Sequence, residues 1–452
     1  MKSTTIACMA ALASLIAHVQ PVSAAVSAEE AARLKTTLTP LGGDKAGNKD
    51  GSIPAWTGGQ TAKLNGPRVG DIPVSLFPGE KPLLQISAAG IAPHADKLSE
   101  GTVALLKKYP DSFRVNVFPT HRSAVAPQYV YDNTFRNATN CRTEEGGLSV
   151  DGCFGGIPFP IPKSGIEVIW NYILRIEPES VEFGSKNIVG TSNGAHTVAT
   201  RTDSFFQHPY YYKEGSAKGW SGEYFIQRFN TTAPPFKAGE SLVLRDSINA
   251  KAPRQAWQYL LGQRRVRRAP TVAYDTPDFV SSGANYFDEV MGYMGHPDRF
   301  DWKLVGKREM YIPYNNNELV TAKESEAFDK FHLNSSRLRW ELHRVWEVEA
   351  TVVSGKRHAV PKRKYYFDED TWLLVLVDGY DAEGKLWRTS IVPTFFVPAV
   401  PAVLAKPVTI HNLQAGTMST VQGLFQDELY RVVPRKNESF FTGEAAAADA
   451  DR

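Results

Sequence analysis

The chain has 452 residues, of which 42% are hydrophobic, so it is long enough to bury a large core as one big domain or as two. Its 51 lysines and arginines nearly balance 48 aspartates and glutamates, which argues against nucleic acid as an obligate partner. The 35 glycines and 29 prolines favour many turns and short strands over long helices.

Residues 1–24 have the pattern of a secretory signal peptide. Lys2 carries positive charge, an apolar run extends from Ile6 to Val19, and small residues surround Ala24. The apolar run is shorter than the roughly 20 residues that span a bilayer as a helix. We therefore expect export to the periplasm, cleavage near Ala24 and no later membrane-spanning helix.

The first elements predicted for the mature chain are helices. Ser27 and Glu30 form a capping box that begins one helix, and a second helix is expected from Leu98 to Lys108. The stretch from Phe113 to Tyr131 is predicted to be extended.

Two cysteines, Cys141 and Cys153, remain after removal of the signal peptide. In an oxidising compartment an even pair favours one disulfide, here across a glycine-rich loop. A metal or redox pair is the alternative, although no histidine or CxxC pattern accompanies the cysteines.

From Glu167 onward the sequence predicts strand after strand. The first six candidates are Glu167–Ile176, Ala195–Thr202, Gly222–Asn230, Ser241–Ser247, Ala256–Leu260 and Arg264–Arg268. A capping box at Thr321 and Glu324 predicts one further helix before the next strands.

The segment Gly190-Thr191-Ser192-Asn193-Gly194 matches the G-x-S-x-G motif of serine hydrolases. A nucleophile elbow needs a helix directly after the serine. Here β-branched residues follow, and Asn193-Gly194 is a strong hairpin dipeptide. We predict a β-turn with no catalytic role for Ser192, and a serine hydrolase remains only a remote alternative.

A dense basic run makes up most of the sixth candidate strand, Arg264–Arg268. It contains Arg264, Arg265, Arg267 and Arg268. The favoured interpretation is a solvated strand edge whose charge opposes edge-to-edge aggregation. The alternative is a partner-docking patch for an acidic protein or for anionic headgroups.

The stretch from Trp340 to Phe396 is predicted to be an antiparallel meander. Alternation assigns Trp340, Leu342, Trp346 and Val348 to an apolar face and Glu341, His343, Glu347 and Glu349 to a wet one. The next strands are expected at Arg363–Phe367, Trp372–Val377 and Lys385–Phe396, with a polar turn at 368–370.

The meander is rich in tryptophan, and its large apolar side chains need a cover. Any single one of them fits an ordinary core position, but so few helices are predicted that a ligand is expected to fill part of the surface. The candidate ligand-binding residues are Trp340, Leu342, Trp346, Val348, Trp372 and Trp387.

No motif supports catalysis, a cofactor or a metal site. The ten histidines show no HExxH, HxH or histidine–cysteine grouping, and no glycine-rich phosphate loop is present. We therefore expect a protein that is not an enzyme, with no cofactor and no metal.

Several segments together resemble a known bacterial family, the domain of unknown function 1329. They include Asp50–Gly59, Pro119–Arg122, Gly155–Gly165, Gly262–Arg267, Tyr311–Asn315 and Arg339–Trp346. The resemblance covers nearly the whole mature chain. It implies a β-rich α+β fold similar to LolA and LolB, in which a large antiparallel open half-barrel has a few helices covering its concave face.

The resemblance also implies an organisation and a function. Residues 25–162 would pack on a half-barrel of residues 163–433, followed by a flexible tail, 434–452. Family members are commonly associated with an outer-membrane barrel and a resistance-nodulation-division type transporter of lipid-like molecules. The leading hypothesis is a non-enzymatic periplasmic carrier or chaperone of a hydrophobic molecule or lipid. The alternative is a structural adaptor with a self-filled core.

Overall fold

The computed structural model describes residues 25–270 and 272–450, so the predicted signal peptide lies outside the described residues. Seven α-helices occur in the described part of the chain. They are α1 (Ala28–Ala32), α2 (Glu100–Lys108), α3 (Gln128–Asn140), α4 (Gly165–Ile173), α5 (Asn317–Val320), α6 (Glu324–Ala327) and α7 (Gly443–Ala450).

The same residues contain twenty-two strands. In the first half they are β1 (Arg68–Val69), β2 (Ile72–Pro73), β3 (Leu84–Ile86), β4 (Val115–Val117), β5 (Arg142–Glu144), β6 (Ser149–Asp151), β7 (Ser180–Gly190), β8 (His196–Gln207), β9 (Glu223–Ala233), β10 (Ser241–Ser247), β11 (Gln255–Leu260) and β12 (Arg265–Arg268). In the second half they are β13 (Phe300–Pro313), β14 (Arg339–Val352), β15 (Lys362–Asp368), β16 (Leu374–Tyr380), β17 (Leu386–Ile391), β18 (Thr394–Val397), β19 (Ala402–Ala405), β20 (Val408–Asn412), β21 (Thr417–Gly423) and β22 (Tyr430–Val432).

Sixteen of these strands form one open sheet. Its order is β12-β11-β10-β9-β8-β7-β21-β20-β17-β16-β15-β14-β4-β3, with β13 on β14 and β22 on β7. The pairing of β4 with β14 is parallel and the other pairings in this sheet are antiparallel. The end strands β12 and β3 do not pair with each other, so the sheet does not close. This confirms the expected large antiparallel open sheet with few helices.

Local sequence signals placed many elements correctly. Ser27 Oγ accepts from the Glu30 backbone and Glu30 Oε2 accepts from the Ser27 backbone, both at 3.1 Å, so the capping box that begins α1 is confirmed. The candidates from 195 to 268 became β8 to β12, and the meander became β14 to β18. Alternation and turn residues are local properties, which is why they sufficed here.

The prediction of a strand at Glu167–Ile176 was wrong, because α4 occupies most of that segment. Every residue of α4 except Ile166 is buried, so the helix shows no polar stripe and its periodicity resembles that of a buried strand. Gly165 packs directly on β13: an added Cβ would lie 2.5 Å from Trp302 O.

Two other secondary-structure predictions also failed in part. Helix α3 begins at Gln128, after Pro127, inside a stretch expected to be extended. The helix expected after Thr321 is only the four residues of α6, and Thr321 Oγ1 donates instead to Asn317 O at 2.7 Å. Tertiary contacts, which the local pattern does not contain, decide both outcomes.

The sheet is covered on both faces. We call one face of the sheet the inner face. Helix α4 and residues 272–299 pack on it in the larger core cluster. Residues 272–299 alone are named the plug. Leu105 and Leu106 of α2 belong to a second core cluster with Tyr366 and Val375 of the central strands. The wide sheet is therefore a middle layer.

The chain termini add to this sheet. The N-terminal part supplies β3 and β4, so the sheet crosses the expected boundary at residue 163, and the division into 25–162 and 163–433 stays a prediction. Contrary to the expected flexible tail, α7 lies near β10 to β12. Phe441 and Ala446 are buried against Ile226 and Val243, since the outer face of β9 and β10 is apolar and requires cover.

Cys141 and Cys153 form a disulfide, which confirms the predicted pairing. They flank the small hairpin β5–β6. No helix among residues 25–270 and 272–450 is long and apolar enough to cross a membrane.

The double variant Cys141→Ser/Cys153→Ser is expected to lower the free energy of unfolding by about 3 kcal/mol, because the bond closes a short loop that is unconstrained in the unfolded variant. Urea unfolding monitored by tryptophan fluorescence measures the loss. Thiol labelling of the unreduced wild type is the control and should modify neither cysteine. Stoichiometric labelling of both would contradict the pairing.

Candidate functional site

A narrow apolar crevice separates the inner face of the sheet from the plug. The strands contribute Phe229, Leu242, Leu244 and Val421, the plug contributes Val280, Phe287, Val290 and Met294, and four polar residues complete the lining. The cavity volume is about 30 Å³, which is room for a water molecule. Binding sites for drug-sized ligands span about 300–1,000 Å³. The crevice is therefore closed to such ligands in this conformation.

The plug is an irregular segment. It consists of short 3-10 turns at Phe279–Ser281, Phe287–Glu289 and Pro297–Arg299, joined by loops. Ser282 and Met291 have φ values of +54° and +64°, which non-glycine residues seldom adopt. Such a segment lacks the continuous hydrogen-bond ladder that holds the strands beneath it.

Two buried ion pairs, here called the latches, hold the plug to the sheet. Asp288 accepts from both terminal nitrogens of Arg363, at 2.8 and 3.1 Å, and lies 2.9 Å from His358 Nε2. Glu289 accepts from Arg388 at 2.6 and 2.8 Å. Burial alone would raise the pKa of Asp288, but the positive charge of Arg363 and the contact with His358 hold that pKa well below its usual range. The latch at Asp288 therefore carries charge in the folded protein.

The structure divides the six predicted ligand-binding residues. Trp346, Val348 and Trp372 belong to the core cluster that includes the crevice wall, and the rings of Trp346 and Trp372 stack with centroids 6.1 Å apart. Trp340 and Leu342 belong to the second core cluster. The half-buried sixth residue, Trp387, donates to Asn412 Oδ1 at 3.1 Å.

None of these six residues lines the crevice, so their role in binding a ligand stays a prediction. Sequence reasoning found the crevice strands but did not assign them a site. It missed the plug altogether, because an irregular segment has no periodic signal. The available hint was the acidic pair Asp288-Glu289 directly before the apolar residues Val290 and Met291.

Three of the four residues of the expected wet face of β14 are buried, which corrects the prediction, and the fourth, Glu349, is half-buried. Glu341 is 0% exposed, His343 1% and Glu347 8%. Glu341 Oε1 accepts from Arg339 Nε at 2.5 Å, and its Oε2 accepts from the backbone of His121 at 2.7 Å. The segment around residues 119–124 covers this face and supplies polar partners, so burial does not leave the carboxylate unpaired.

Arg122 is the centre of this polar layer. Its Nε and Nη2 donate to the two oxygens of Asp370 at 2.8 and 2.6 Å, and Nη2 also donates to Asp44 O at 2.7 Å. Glu369 Oε1 lies 3.6 Å from the same Nη2. We call the layer the ionic cluster. It comprises Asp44, Glu80, Arg122, Lys307, Arg339, Glu341, His343, Arg344, Asp368, Glu369 and Asp370.

The pKa values of the cluster follow from burial and charge together. Burial raises the pKa of Asp368 to about 7, with a further contribution from Asp370, against the opposing charge of His343. Burial would lower the pKa of His343, but Glu341 and Asp368 raise it above its ordinary value. Burial and the charges of Asp368, Asp370 and Glu341 raise the pKa of Tyr314.

Sequence reasoning assigned Asp368-Glu369-Asp370 to a polar turn and missed the cluster. The turn is sharp, since Trp372 has a φ of +61°, yet all three acids are at most 2% exposed. Three consecutive acids beside a tryptophan were the available signal. Arg122, their partner, lies 248 positions from Asp370, so no local pattern links the two.

The G-x-S-x-G segment is a hairpin turn, as predicted. The Thr191 backbone donates to Ala195 O at 2.9 Å, the Gly194 backbone donates to Thr191 O at 2.9 Å, and β8 follows instead of a helix. Ser192 is exposed at the turn. A nucleophile elbow at this serine is thereby contradicted.

The basic run forms an edge of the sheet, as expected. Strand β12 is the end strand, and Arg265, Arg267 and Arg268 are exposed. Arg264 is exposed in the preceding turn with a φ of +46°. Docking of a partner to these arginines stays a prediction.

Comparisons with known proteins identify relatives of the chain. The family described as "Protein of unknown function (DUF1329)" matches residues 85–447. The uncharacterized protein PA3922 of Pseudomonas aeruginosa is 42% identical over 393 residues, which is 86% of this chain and 86% of that protein.

Two solved structures share part of the chain course. A DUF1329 family protein from Desulfovibrio piger has a TM-score of 0.40 at 12% identity, over 60% of this chain and 92% of that one. A putative outer membrane lipoprotein-sorting protein domain from Vibrio parahaemolyticus has a TM-score of 0.43 at 12% identity, over 63% and 98%. Both scores are below 0.5, so the fold assignment above rests on the strand order.

The variant Arg122→Met is expected to lower the free energy of unfolding by about 3–5 kcal/mol, because it leaves the buried carboxylate of Asp370 without its guanidinium partner. Chemical unfolding monitored by circular dichroism measures this. The matched control is Arg337→Met, whose ion pair with Glu326 is 39% and 42% exposed and is worth at most about 1 kcal/mol. Equal losses in the two variants would contradict a special role for Arg122.

Proposed function

The chain belongs to the DUF1329 family of proteins of unknown function, and on that premise we propose that it is a non-enzymatic periplasmic carrier or chaperone. It shields a lipid-like or other hydrophobic molecule against the inner face of its sheet. The observation that carries this proposal is the apolar crevice between that face and an irregular cover, the plug.

Binding requires the plug to move. The closed cavity of about 30 Å³ is an order of magnitude smaller than an ordinary ligand site. The strands beneath it belong to a continuous ladder, whereas the plug is built of isolated turns. Segments with few regular hydrogen bonds open at lower free-energy cost than strands. The plug is therefore the element that we expect to yield to a ligand.

The latches define how the plug opens. They join Asp288 and Glu289 to Arg363 of β15 and Arg388 of β17, which are not among the strands that line the crevice, β7 to β10 and β21. Buried ion pairs fix position more than they stabilise, because desolvation offsets much of their attraction. The latches hold the plug in position over the apolar crevice wall, but they are not themselves contacts with that wall.

The energetics permit useful affinity. A ligand that buries about 330 Å² of apolar surface gains about 8 kcal/mol at about 25 cal/mol per Å², which corresponds to micromolar binding before the cost of moving the plug. The ligand makes new apolar contacts in place of those that the plug loses. These contacts offset part of the free-energy cost of moving the plug.

Export supports the periplasmic location. The signal-like residues 1–24 and the disulfide between Cys141 and Cys153 both suit an oxidising compartment. In that compartment a lipid-like molecule needs protection from water, which is the task that the carrier proposal assigns to the protein.

The basic edge strand is the proposed docking surface for a partner. Gly239, in the β9–β10 loop, would place a Cβ 3.4 Å from Leu261 in the β11–β12 turn, so the two loops are neighbours. Leu261, at 40% exposed, lies in the same turn as exposed Arg264, and Phe236, at 80% exposed, lies in the neighbouring β9–β10 loop. This combination suits an acidic surface, such as that of an outer-membrane barrel or of an inner-membrane transporter of the resistance-nodulation-division type.

The structural adaptor remains the second candidate. Its support is the same crevice, which the side chains of the protein fill almost completely in this conformation. An adaptor would keep this core closed and would bind no apolar molecule.

Uptake of the fluorescent hydrophobe N-phenyl-1-naphthylamine separates the two proposals. The wild type should bind it at micromolar concentration, and Leu244→Glu should lose binding at least tenfold because a carboxylate would stand in the apolar crevice. Leu83→Glu is the control, since Leu83 is 74% exposed and far from any lining residue in sequence. Trp346→Glu, in the same assay, tests the sequence-based assignment of that residue.

Circular dichroism must show that each variant is folded. If folded wild-type protein binds neither this probe nor a co-purified lipid detected by native mass spectrometry, the carrier proposal is abandoned in favour of the adaptor. That decision does not depend on whether Leu244→Glu folds.

The latch variant Glu289→Gln/Arg388→Met should take up the probe faster than the wild type. It removes one buried ion pair without leaving an unpaired charge, and each 1.4 kcal/mol lost from the closed state gives about a tenfold rise in the open population. Stopped-flow fluorescence measures the rate. The exposed pair variant Glu326→Gln/Arg337→Met is the control. Unchanged rates in the latch variant would show that the plug is not the gate.

A further inference from the structure

The imidazole of His343 faces the carboxylate of Asp368 without hydrogen-bonding to it. Its Nε2 lies 3.2 Å from Glu341 Oε2, so this nitrogen carries the proton and donates. Its Nδ1 lies 3.6 Å from Asp368 Oδ1, too far for a hydrogen bond. In the neutral ring, two electron-rich atoms then face each other in a site that is at most 1% exposed. Positive charge between them would relieve the repulsion.

A buried carboxylate oxygen without a hydrogen-bond partner lies at the same place, next to a buried tyrosine. Asp368 Oδ2 accepts from the backbone and hydroxyl of Thr371 at 3.1 and 2.6 Å, but Oδ1 has no hydrogen-bond partner among the described residues. Tyr314 is also buried, and its ring centroid lies 4.1 Å from that of His343; its hydroxyl interacts with Ser123 but makes no well-formed hydrogen bond among the described residues. Buried polar groups are normally paired, so a partner of another kind is implied.

The charge of the ionic cluster agrees with this. Six carboxylates, Asp44, Glu80, Glu341, Asp368, Glu369 and Asp370, face four cationic side chains, Arg122, Lys307, Arg339 and Arg344. Counted in the state that can ligate a cation, with every carboxylate ionised and the histidine neutral, these groups carry two negative charges in excess. A divalent cation balances that excess, and an interior site strongly favours such balance.

We propose that His343, Asp368 and Asp370 form a binding site for one divalent transition-metal cation, of which zinc is the best example. Candidate ligand atoms of these three residues all lie within 4.8 Å of one another. One imidazole nitrogen with carboxylate oxygens suits Zn²⁺, whereas Ca²⁺ and Mg²⁺ favour oxygen alone.

The surroundings provide the support that metal-binding histidines require. A ligating histidine usually donates its second ring N–H to a carboxylate, and Glu341 occupies that position for His343. Asp370 already accepts from Arg122, but each carboxylate oxygen has a second lone pair available for a cation. The nearby guanidinium weakens the site without blocking it, so micromolar affinity is expected rather than the affinity of a closed zinc finger.

The route to the site and its consequence follow from the covering segment. A polar cleft of about 260 Å³, lined in part by Glu80, Asn315 and Arg339, reaches the edge of the ionic cluster. Both Asn315 and Arg339 contact Glu341, the partner of His343. A bound cation would fix the turn at 368–370, which Arg122 contacts, to β14, independently of any ligand in the crevice.

The test uses the exported protein, purified without a histidine tag, unfolded in chelator and refolded with Zn²⁺ or with Mg²⁺. Native mass spectrometry should find one zinc per chain and no magnesium, and zinc should raise the melting temperature. His343→Gln and Asp368→Asn should each weaken zinc binding at least tenfold. His411→Gln is the matched control, because His411 is 2% exposed with both ring nitrogens unpartnered among the described residues.

Absence of stoichiometric zinc in the wild type would overturn the proposal, as would full zinc binding by both site variants or an equal loss in His411→Gln. If a site variant does not refold, X-ray absorption of the zinc-loaded wild type decides instead. A shell of oxygen ligands with a single imidazole supports the site, and sulfur or several imidazoles refute it.

Discussion

The burial of β14 on both faces is the constraint on which the rest of the structure depends. This strand pairs with β13 along one edge and with β15 and the parallel β4 along the other. Its backbone is thereby satisfied inside the sheet, but Glu341 and His343 are carried into the interior with it. Unpaired, these groups would cost several kcal/mol each. The N-terminal segment and the turn at 368–370 supply the partners, which is why a distant part of the chain is tied to the sheet.

The inner face of the sheet is covered in a different way. There the sheet is too wide for α4 alone, and the plug covers what the helix leaves. The plug is not purely apolar, since Asp288 and Glu289 enter the core and are neutralised by Arg363 and Arg388. Charge pairs of this kind determine where a segment sits more than how tightly it is held. An apolar surface under a positioned but irregular cover is the arrangement that a carrier needs.

The contrast between correct and failed predictions has a physical basis. Strands β8 to β12 were placed correctly because their alternation and the Asn193-Gly194 turn are local signals. Helix α4 was missed because burial on all sides removes the polar stripe that distinguishes a helix. The acids at 368–370 were predicted only as a polar turn, because the local sequence gives no sign of the distant arginine that covers them.

By itself the sequence determined the period-two strands, the hairpin at Ser192, the basic edge and the pairing of the two mature cysteines, because each depends on neighbours along the chain or on a simple count. Only the tertiary structure decided that both faces of β14 are buried, that residues 272–299 cover the crevice, and that His343 meets Asp368. Those outcomes depend on which distant segment covers which face, as the 248 positions between Arg122 and Asp370 illustrate. Alternation shows that a strand has two faces, and packing determines whether water reaches either of them.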